Sequence, residues 1–541
     1  MIITHNLKNM PEFFHDLLFE TAHRAPQREA LVYRETRLNY DGLAEEVRQI
    51  TTRLLQLGLQ RLDRVAVYLE KRPETVCSFF SISHAGAVFV PINPILKPDQ
   101  IAHILNDCQV RFLITSAPRL EALGDILAQC PALAATMLVD PFRPPAMAHP
   151  PCHPLKIPPS APAMPLHRTI PTDMAAILYT SGSTGKPKGV VLSHLNLVTG
   201  AKSVAQYLNL TQEDRLLSVL PLSFDYGLNQ ITTAFLSGAC AVLLNHLLPQ
   251  DILKEIQRES ITGLAAVPPL WIQLSSLTWP DPATCSLRYY TNSGGAMPEH
   301  TLELLRRKLP GARPYLMYGL TEAFRSTYLP PEEVDRRPGS IGRAIPYAEI
   351  LVVREDGTPC VAHEPGELVH RGPLVALGYW NDLEKTAERF KPAPSLPAQL
   401  MLTEIAVWSG DTVKRDEDGF LYFVGRRDEM IKTSGYRVSP TEIEEVVYAT
   451  GLVDEVIAVG LPDPVLGQSI ALVATPPNGA GSPLNETEIL RACQRSLPAF
   501  MVPQRIACCQ ETPMPRNNNG KIDRNRVIAR YLDHPTTQPL S

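Results

Sequence analysis

The sequence predicts an α/β protein with two domains, and three features of its 541 residues support this fold class. Short apolar runs alternate with amphipathic helical patterns early in the chain, which is typical of a mostly parallel sheet flanked by helices. The length exceeds what one hydrophobic core usually serves. A shorter series of helices and strands closes the chain. We therefore expect a large N-terminal domain of mixed, mostly parallel sheets with a β-rich subdomain, and a small C-terminal α+β domain.

The early alternation is clearest between residues 30 and 115. After Asn39, four apolar residues at helical spacing (Leu43, Val47, Ile50 and Leu54) predict one buried face of a helix. Apolar runs bounded by turn residues predict strands at 30–33, 64–69, 88–92, 111–115, 174–179 and 215–220, and helical patterns cover 74–87, 98–108 and 196–208.

Prolines recur at nearly every third position between 141 and 171, with neither a helical nor a strand period. Such a composition predicts an extended, mobile connector. We interpret it as a long surface loop within the large domain.

Composition and charge exclude some classes of function. A formal net charge of -5 gives no basic surface for nucleic acid. The first residues lack the basic and apolar regions of a signal peptide, and no run approaches the ~20 apolar residues of a membrane span. We expect a cytoplasmic protein without an integral membrane segment. The ten cysteines lack metal-ligand spacing with histidines and are expected to be structural thiols.

The stretch from Tyr179 to His194, YTSGSTGKPKGVVLSH, predicts a polyphosphate-binding loop after a buried strand. Glycines let backbone N–H groups turn toward an anion, hydroxyls donate to phosphate oxygens, and lysines supply countercharge. It is not the usual P-loop, because Thr180 and Pro187 stand where that pattern needs Gly and Ser or Thr. The candidate nucleotide-binding residues here are Thr180, Ser181, Gly182, Ser183, Thr184, Gly185 and Lys188.

This string resembles the phosphate-binding signature of the adenylate-forming superfamily, the AMP-forming acyl and aminoacyl ligases. The resemblance extends over essentially the whole chain, with its motifs in family order, and it implies ATP as co-substrate and Mg²⁺ as cofactor. In YLMYGLTEA, it assigns Tyr318 to the adenine ring, Thr321 to the phosphate or acyl-adenylate, and Glu322 to Mg²⁺, with Thr184 as a second metal residue. A carboxylate suits a hard, oxygen-liganded cation. The small-residue turn after LRYYTN places Ser293 and Gly294 near the carboxylate pocket and the adenine.

The stretch PLSFDYGLN suggests the kind of acid. Many fatty and aryl acid ligases of the superfamily have a His-centred version, whereas Phe224-Asp225 is similar to amino-acid-activating enzymes, in which the acidic residue pairs with the α-ammonium group. A carboxylate in an apolar pocket is costly without a cationic partner. Arg325 could face the same pocket, or could pair with Asp225 or Glu322, which would weaken the ammonium role. The candidate substrate-binding residues are Asp225, Tyr226, Asn229, Ser293 and Arg325.

The last motifs predict the ribose site and a domain hinge. The resemblance assigns Asp411 to the ribose hydroxyls, with Arg426 nearby, and Asp428 to a pivot between domains 1–427 and 428–541. It further implies that the small domain is mobile, that Lys432 and Gly435 lie on the loop used in thiolation, and that Lys521 reaches the substrate carboxylate and α-phosphate as a catalytic residue, together with Thr321 and Glu322.

The resemblance implies activation of a carboxylic acid as acyl-AMP with release of pyrophosphate, followed by transfer to a phosphopantetheine thiol. After Arg524 only a short tail remains, so we expect the thiol to come from a freestanding carrier protein or from coenzyme A. Asp225 favours an amino or imino acid loaded on a carrier; the alternative is an acyl-CoA ligase for a small or medium acid. Two alternatives belong to other classes of function: a nucleotide-binding protein without turnover, and a light-emitting oxygenase.

Overall fold

The computed structural model describes residues 10–140, 150–156, 162, 164–180, 187–281, 285–295, 297, 299–394, 399, 401, 403–426, 431–438, 440–476, 483–511, 514–515, 522 and 524–532. The helices in these ranges are α1 (Asp16–Arg24), α2 (Tyr40–Gln56), α3 (Pro73–His84), α4 (Pro98–Asp107), α5 (Ala117–Leu123), α6 (His194–Tyr207), α7 (Asp225–Ser237), α8 (Pro249–Arg258), α9 (Pro268–Ser276), α10 (Glu299–Lys308), α11 (Leu383–Arg389), α12 (Pro440–Tyr448), α13 (Glu486–Ser496) and α14 (Arg524–Tyr531).

The strands are β1 (Glu29–Tyr33), β2 (Thr36–Asn39), β3 (Arg64–Tyr68), β4 (Val88–Pro91), β5 (Phe112–Thr115), β6 (Ala135–Leu138), β7 (Cys152–Pro154), β8 (Met174–Thr180), β9 (Lys188–Ser193), β10 (Arg215–Ser218), β11 (Cys240–Leu243), β12 (Gly263–Ala266), β13 (Tyr289–Asn292), β14 (Arg313–Tyr318), β15 (Thr327–Leu329), β16 (Ser340–Ala344), β17 (Glu349–Val353), β18 (Gly366–Arg371), β19 (Gly378–Tyr379), β20 (Phe390–Pro392), β21 (Ile405–Arg415), β22 (Leu421–Arg426), β23 (Ile431–Thr433), β24 (Tyr436–Val438), β25 (Val456–Asp463), β26 (Gly467–Ala474) and β27 (Arg505–Cys508).

One sheet of the large domain has the strand order β19-β9-β8-β4-β3-β5-β6-β7. Its strands from β8 through β4, β3, β5 and β6 to β7 pair in parallel, as the early alternation predicts. The exceptions are two antiparallel pairs, β19–β9 and β8–β9, and in the second Thr180 lies opposite Lys188. The predicted phosphate loop therefore connects the two strands of a hairpin.

The longest sheet changes character along its length. Strands β1, β11, β10, β12, β13 and β14 pair in parallel, whereas β14 to β18 and β20 to β22 pair with antiparallel neighbours. The antiparallel part is the β-rich subdomain. The change occurs at β14, whose last residue is Tyr318. The fold class predicted from the sequence, α/β with mixed sheets and a smaller C-terminal domain, is confirmed.

The C-terminal domain has its own sheet, ordered β24-β23-β26-β25 with β27 beside β26. Helices α12 and α13 pack on it through a separate apolar core that includes Ile443, Ile470 and Ile489, all fully buried. This core is independent of the large one. The domain boundary at 428 lies outside the described residues and stays a prediction.

The proline-rich stretch differs in part from the prediction. Cys152–Pro154 forms β7, a short strand that pairs with β6 at the edge of its sheet. Proline is tolerated on an edge strand because its missing N–H is not needed there. The prediction of a stretch without strand structure was therefore wrong at these three residues.

Two expectations about the chain's chemistry can be compared with the structure. All ten cysteines are free thiols, seven of them buried. Among the described residues, no helix combines the length and apolarity needed to cross a membrane.

Candidate active site

A cavity of about 840 Å³ lies where the two large sheets meet the C-terminal domain. Residues from both domains line it, including Lys188 of β9, Tyr318 of β14 and Lys432 of β23. Its wall has two chemically distinct parts. We call them the Tyr318 side, formed by Lys188, Tyr318, Glu322 and Asp411, and the Asp225 side, formed by Asp225, Ile272, Ser293 and Arg325.

On the Tyr318 side, a tyrosine and a carboxylate are hydrogen bonded to each other. The Tyr318 hydroxyl donates a hydrogen bond to Asp411 Oδ2 at 2.5 Å, although the two residues are 93 positions apart. Asp411 is in β21, where it lies opposite Arg426 of β22. The sheet thus brings together three residues that the sequence assigns to one nucleoside site; the side chain of Arg426 is outside what the structure describes.

Glu322 lies in the short 3₁₀ turn Thr321–Ala323 that follows β14. Its Oε1 accepts a hydrogen bond from the Tyr379 hydroxyl at 2.6 Å. Lys188 lies over the Tyr379 ring with its Nζ 5.6 Å from the ring centre, and burial lowers the pKa of this lysine. A carboxylate and a nearby cation in one cavity fit a polyphosphate with Mg²⁺, which takes oxygen ligands.

Sequence reasoning missed Tyr379. This residue is in β19, and nothing in its spacing along the chain connects it to Glu322. The signal available was only an aromatic pair, Tyr379-Trp380, in a turn-rich segment.

On the Asp225 side, two opposite charges neutralise each other. Arg325 Nη1 donates to Asp225 Oδ2 at 2.8 Å, and the two side chains are only 3% and 4% exposed. Burial raises the pKa of Asp225, and the guanidinium of Arg325 opposes that shift. Of the alternatives left open for Arg325, the structure shows the pairing with Asp225.

The other candidate substrate residues separate into two groups. Ser293 and Gly294 line the cavity, and Gly294 has a φ of +83°, a conformation that glycine adopts easily. Tyr226 and Asn229 are not among the described residues that line it. The Tyr226 hydroxyl is hydrogen bonded to Thr291 Oγ1 at 2.5 Å, and Asn229 is buried in α7 against Thr232. Of this helix, only the first residue, Asp225, lines the cavity. The substrate-binding role of Tyr226 and Asn229 stays a prediction.

The C-terminal domain closes one end of the cavity with its 431–438 hairpin. Lys432 Nζ is 4.7 Å from the centre of the Phe423 ring. Gly435 has a φ of +81°, and a Cβ atom there would lie 2.8–2.9 Å from the side chain of Val267 in the large domain. A further contact between the domains is the hydrogen bond from Gln100 Nε2 to Glu442 Oε1 at 2.8 Å. The predicted thiolation loop therefore lies against the large domain.

Of the phosphate loop, Thr180 and Lys188 are described and line the cavity, as does Thr321. Several predicted residues lie outside the described part of the chain, namely Ser181, Gly182, Ser183, Thr184, Gly185, Asp428 and Lys521. Their roles stay predictions.

The fold and the cavity fit an adenylate-forming enzyme. The chain belongs to the AMP-binding enzyme family, whose model matches residues 18–380, and the model of the AMP-binding enzyme C-terminal domain matches residues 442–521.

Relatives of this chain have several activities. A linear gramicidin synthase protein of Brevibacillus parabrevis is 30% identical over 97% of this chain, which spans only 6% of that much longer protein. Indoleacetate–CoA ligase of Aromatoleum aromaticum is 30% identical, over 93% of this chain and 95% of the relative. L-proline–[L-prolyl-carrier protein] ligase of Pseudomonas fluorescens is 28% identical, over 96% of this chain and all of the relative.

Solved structures show the same fold. A variant of o-succinylbenzoate CoA synthetase from Bacillus subtilis, bound with a product analogue, has a TM-score of 0.81 at 25% identity, covering 97% of this chain and 99% of that one. VinN in complex with L-aspartate has a TM-score of 0.63 at 28% identity, covering 76% of this chain and 98% of that one.

Proposed function

We propose that this protein activates a small amino or imino acid as its acyl-adenylate and transfers the acyl group to the phosphopantetheine thiol of a separate carrier protein. The observation that carries the proposal is that residues suited to each part of the reaction line one and the same cavity. It places Tyr318 and Asp411, which suit a nucleoside, beside Glu322 and Lys188, which suit a polyphosphate, and opposite a buried charged wall at Asp225.

In the first step, a carboxylate oxygen of the acid attacks the α-phosphorus of ATP. A bond forms from that oxygen to phosphorus, and the bond from phosphorus to the pyrophosphate oxygen breaks. Tyr318 packs against the base and Asp411 accepts hydrogen bonds from the ribose hydroxyls. Lys188, and Lys521 from the C-terminal domain, stabilise the negative charge that develops, so catalysis consists mainly of positioning and electrostatics.

Mg²⁺ fits the residues present, since Glu322 offers a carboxylate to a hard cation in a cavity that also has a lysine. Bound with ATP, the ion would neutralise phosphate charge. Tyr379 holds the Glu322 carboxylate in place through its hydroxyl.

In the second step, the thiol sulfur attacks the acyl carbon, the bond from that carbon to the AMP oxygen breaks, and AMP leaves with the electron pair. The thiol proton goes to solvent. The hairpin that contains Lys432 and Gly435 borders the cavity, which supports a thiol route along this loop.

The acid and the acceptor are the finer part of the proposal. A carrier protein is supported by the L-proline ligase relative, and an amino acid by the VinN complex with L-aspartate. Coenzyme A is the alternative acceptor, supported by the indoleacetate–CoA ligase relative. The pairing of Asp225 with Arg325 argues against a substrate whose ammonium group is its only polar feature besides the reacting carboxylate.

The test is acid-dependent exchange of labelled pyrophosphate into ATP, with amino acids including proline, aliphatic acids and aryl acids. Thioester formation is then measured with coenzyme A and with a phosphopantetheinylated carrier protein. We expect exchange with an amino or imino acid and loading of the carrier. Exchange with simple acids only, with coenzyme A as acceptor, would favour the alternative. ATP binding without exchange for any acid would indicate a nucleotide-binding protein without turnover.

A further inference from the structure

The ion pair on the Asp225 side uses only part of its arginine. Arg325 Nη1 makes both of the guanidinium's hydrogen bonds, to Asp225 Oδ2 at 2.8 Å and to the Phe324 carbonyl oxygen at 2.7 Å. Nε and Nη2 are buried and have no hydrogen-bond partner among the described residues. Buried N–H donors are rarely left unpaired, because each loses its hydration without compensation.

The two unpaired nitrogens form one edge of the guanidinium. Nε–H and one N–H of Nη2 point in the same direction, and this edge binds a carboxylate through two parallel hydrogen bonds. The guanidinium is held in place by its ring contacts, with Cζ 4.9 Å from the centre of the Tyr226 ring and 5.4 Å from that of Phe324. Its bidentate edge is therefore preorganised.

The pair belongs to the cavity wall and not to the distant core. Asp225 is the first residue of α7, and Arg325 directly follows Phe324, a residue with a φ of +57° that ends the Thr321–Ala323 turn. Both line the same cavity as Ser293 and Glu322. An acid that reacts on the Tyr318 side would thus extend its remaining groups toward the pair.

Charge balance limits what those groups can be. An ammonium group beside Asp225 would be repelled by Arg325, and a carboxylate beside Arg325 would be repelled by Asp225 and, more weakly, by Glu322. A substrate with both groups completes an alternating set of four charges, in which each charge has an opposite neighbour. Buried charges are tolerated when they are paired and hydrogen bonded in this way.

We infer that the substrate is an acidic amino acid: besides the carboxylate that is activated, it has an ammonium group that pairs with Asp225 and a second carboxylate that binds the Nε–Nη2 edge of Arg325. This inference rests on the proposed function and specifies its substrate class. Asp225 and Arg325 are then specificity residues that act as a unit.

The first test is pyrophosphate exchange with wild-type protein and four groups of acids. L-Aspartate and L-glutamate have both extra groups, L-alanine and L-proline only the ammonium or imino group, succinate and glutarate only the second carboxylate, and propionate and benzoate neither. We expect kcat/KM for the first group to exceed that of each other group by about 100-fold, since an absent group leaves a buried charge uncompensated. A higher value for L-alanine and L-proline overturns the inference and leaves the proposed function intact, whereas a higher value for either group that lacks an amino group overturns both. No exchange with any acid would instead overturn the proposed function.

The second test uses variants and separates specificity from structural damage. Arg325→Lys keeps the charge but lacks the bidentate edge, and it should lower kcat/KM for the acidic amino acids by about 100-fold and for L-alanine by a much smaller factor. Asp225→Asn should shift preference toward succinate and glutarate. Arg306→Gln is the matched control, because Arg306 pairs with Asp335 at the exposed surface. Equal losses for all four acid groups in Arg325→Lys would contradict the inference.

Discussion

The two sides of the cavity hold their charged residues in different ways. On the Tyr318 side, Asp411 and Glu322 each accept a hydrogen bond from a tyrosine hydroxyl, which is an uncharged donor. On the Asp225 side, the carboxylate is bound to a guanidinium. The first arrangement suits a ligand that every member of the class uses. The paired charges of the Asp225 side suit a ligand whose own charges match them. Changing such residues would let one fold serve several acids.

The largest expected effect tests whether the buried pair is an interdependent unit. Arg325→Leu should lower the free energy of unfolding by about 3–5 kcal/mol, because Asp225 would remain as an uncompensated buried charge. The double variant Asp225→Asn, Arg325→Leu should lose less. Denaturant unfolding measures these two variants and Asp225→Asn alone. If the double variant were as unstable as the sum of the two single variants, the pair would not be coupled.

The next effect concerns Lys521, the residue of the C-terminal domain that is predicted to bring a positive charge to the Tyr318 side. Lys521→Ala should reduce pyrophosphate exchange by about 10²–10³-fold, which is the usual consequence of removing one donor to transition-state charge. Thioester formation from a preformed acyl-adenylate should be unchanged. Lys254→Ala, on the exposed face of α8, is the control. Undiminished exchange in Lys521→Ala would show that this assignment is wrong.

A smaller effect should distinguish the two partners within the Tyr318 side. Asp411→Asn keeps the shape of the side chain but removes its charge, and we expect the KM for ATP to rise about 10- to 100-fold. Tyr318→Phe keeps the ring and should raise it less than about 10-fold, since only one neutral donor is lost. Initial-rate kinetics at saturating acid provide both values. A larger effect in Tyr318→Phe would mean that the hydroxyl, and not the carboxylate, holds the ribose.

The smallest effect concerns stability and not substrate preference: it is the pH dependence caused by three histidines that do not line the cavity. His15, His84 and His194 form a cluster in which His194 is buried and the other two are half-buried, and the ring centres of His84 and His194 are 5.2 and 6.0 Å from that of His15. Burial lowers the pKa of His84 and of His194 to about 4, and burial and its two neighbours lower the pKa of His15. The unfolded chain therefore binds protons that the folded chain excludes. The contribution of these histidines to the free energy of unfolding is fully present above pH 6.5. It is lost as the pH decreases from 6.5 toward 4, by at most about 1.4 kcal/mol per pH unit for each histidine.

This acid sensitivity can be measured as the melting temperature between pH 7 and pH 4. His84→Gln should flatten the dependence, because one of the three groups no longer titrates. The order of preference among acids should be the same in this variant as in the wild type. An unchanged pH dependence would place the acid sensitivity elsewhere in the protein.

Local patterns in the sequence determined how much of this could be predicted. The apolar run at 174–179 is β8, and the helix predicted at 196–208 is α6, which begins two residues earlier because Ser193 and Asn196 cap its N-terminus reciprocally. The roles expected of the motif around Tyr318 came from its resemblance to the superfamily, which could be noticed because the residues of the motif are close in sequence at the end of one strand.

Contacts between distant residues could not be predicted in this way. Asp225 and Arg325 are 100 positions apart, and Glu322 and Tyr379 are 57 apart. Sequence alone left Arg325 with several possible partners, because only the packing of α7 against the turn after β14 selects one. The strand β7 was missed because its pairing depends on the edge of β6 and not on a period of its own.

The contact at Gly435 limits how far the two domains are held apart at this point. Its backbone lies so close to Val267 that a single added carbon atom would not fit without movement. Any side chain at this position would act as a spacer between the domains and would widen the passage that the hairpin borders. If the thiol enters along this hairpin, as the proposed function holds, the missing side chain at Gly435 keeps the two domains close together at the entrance.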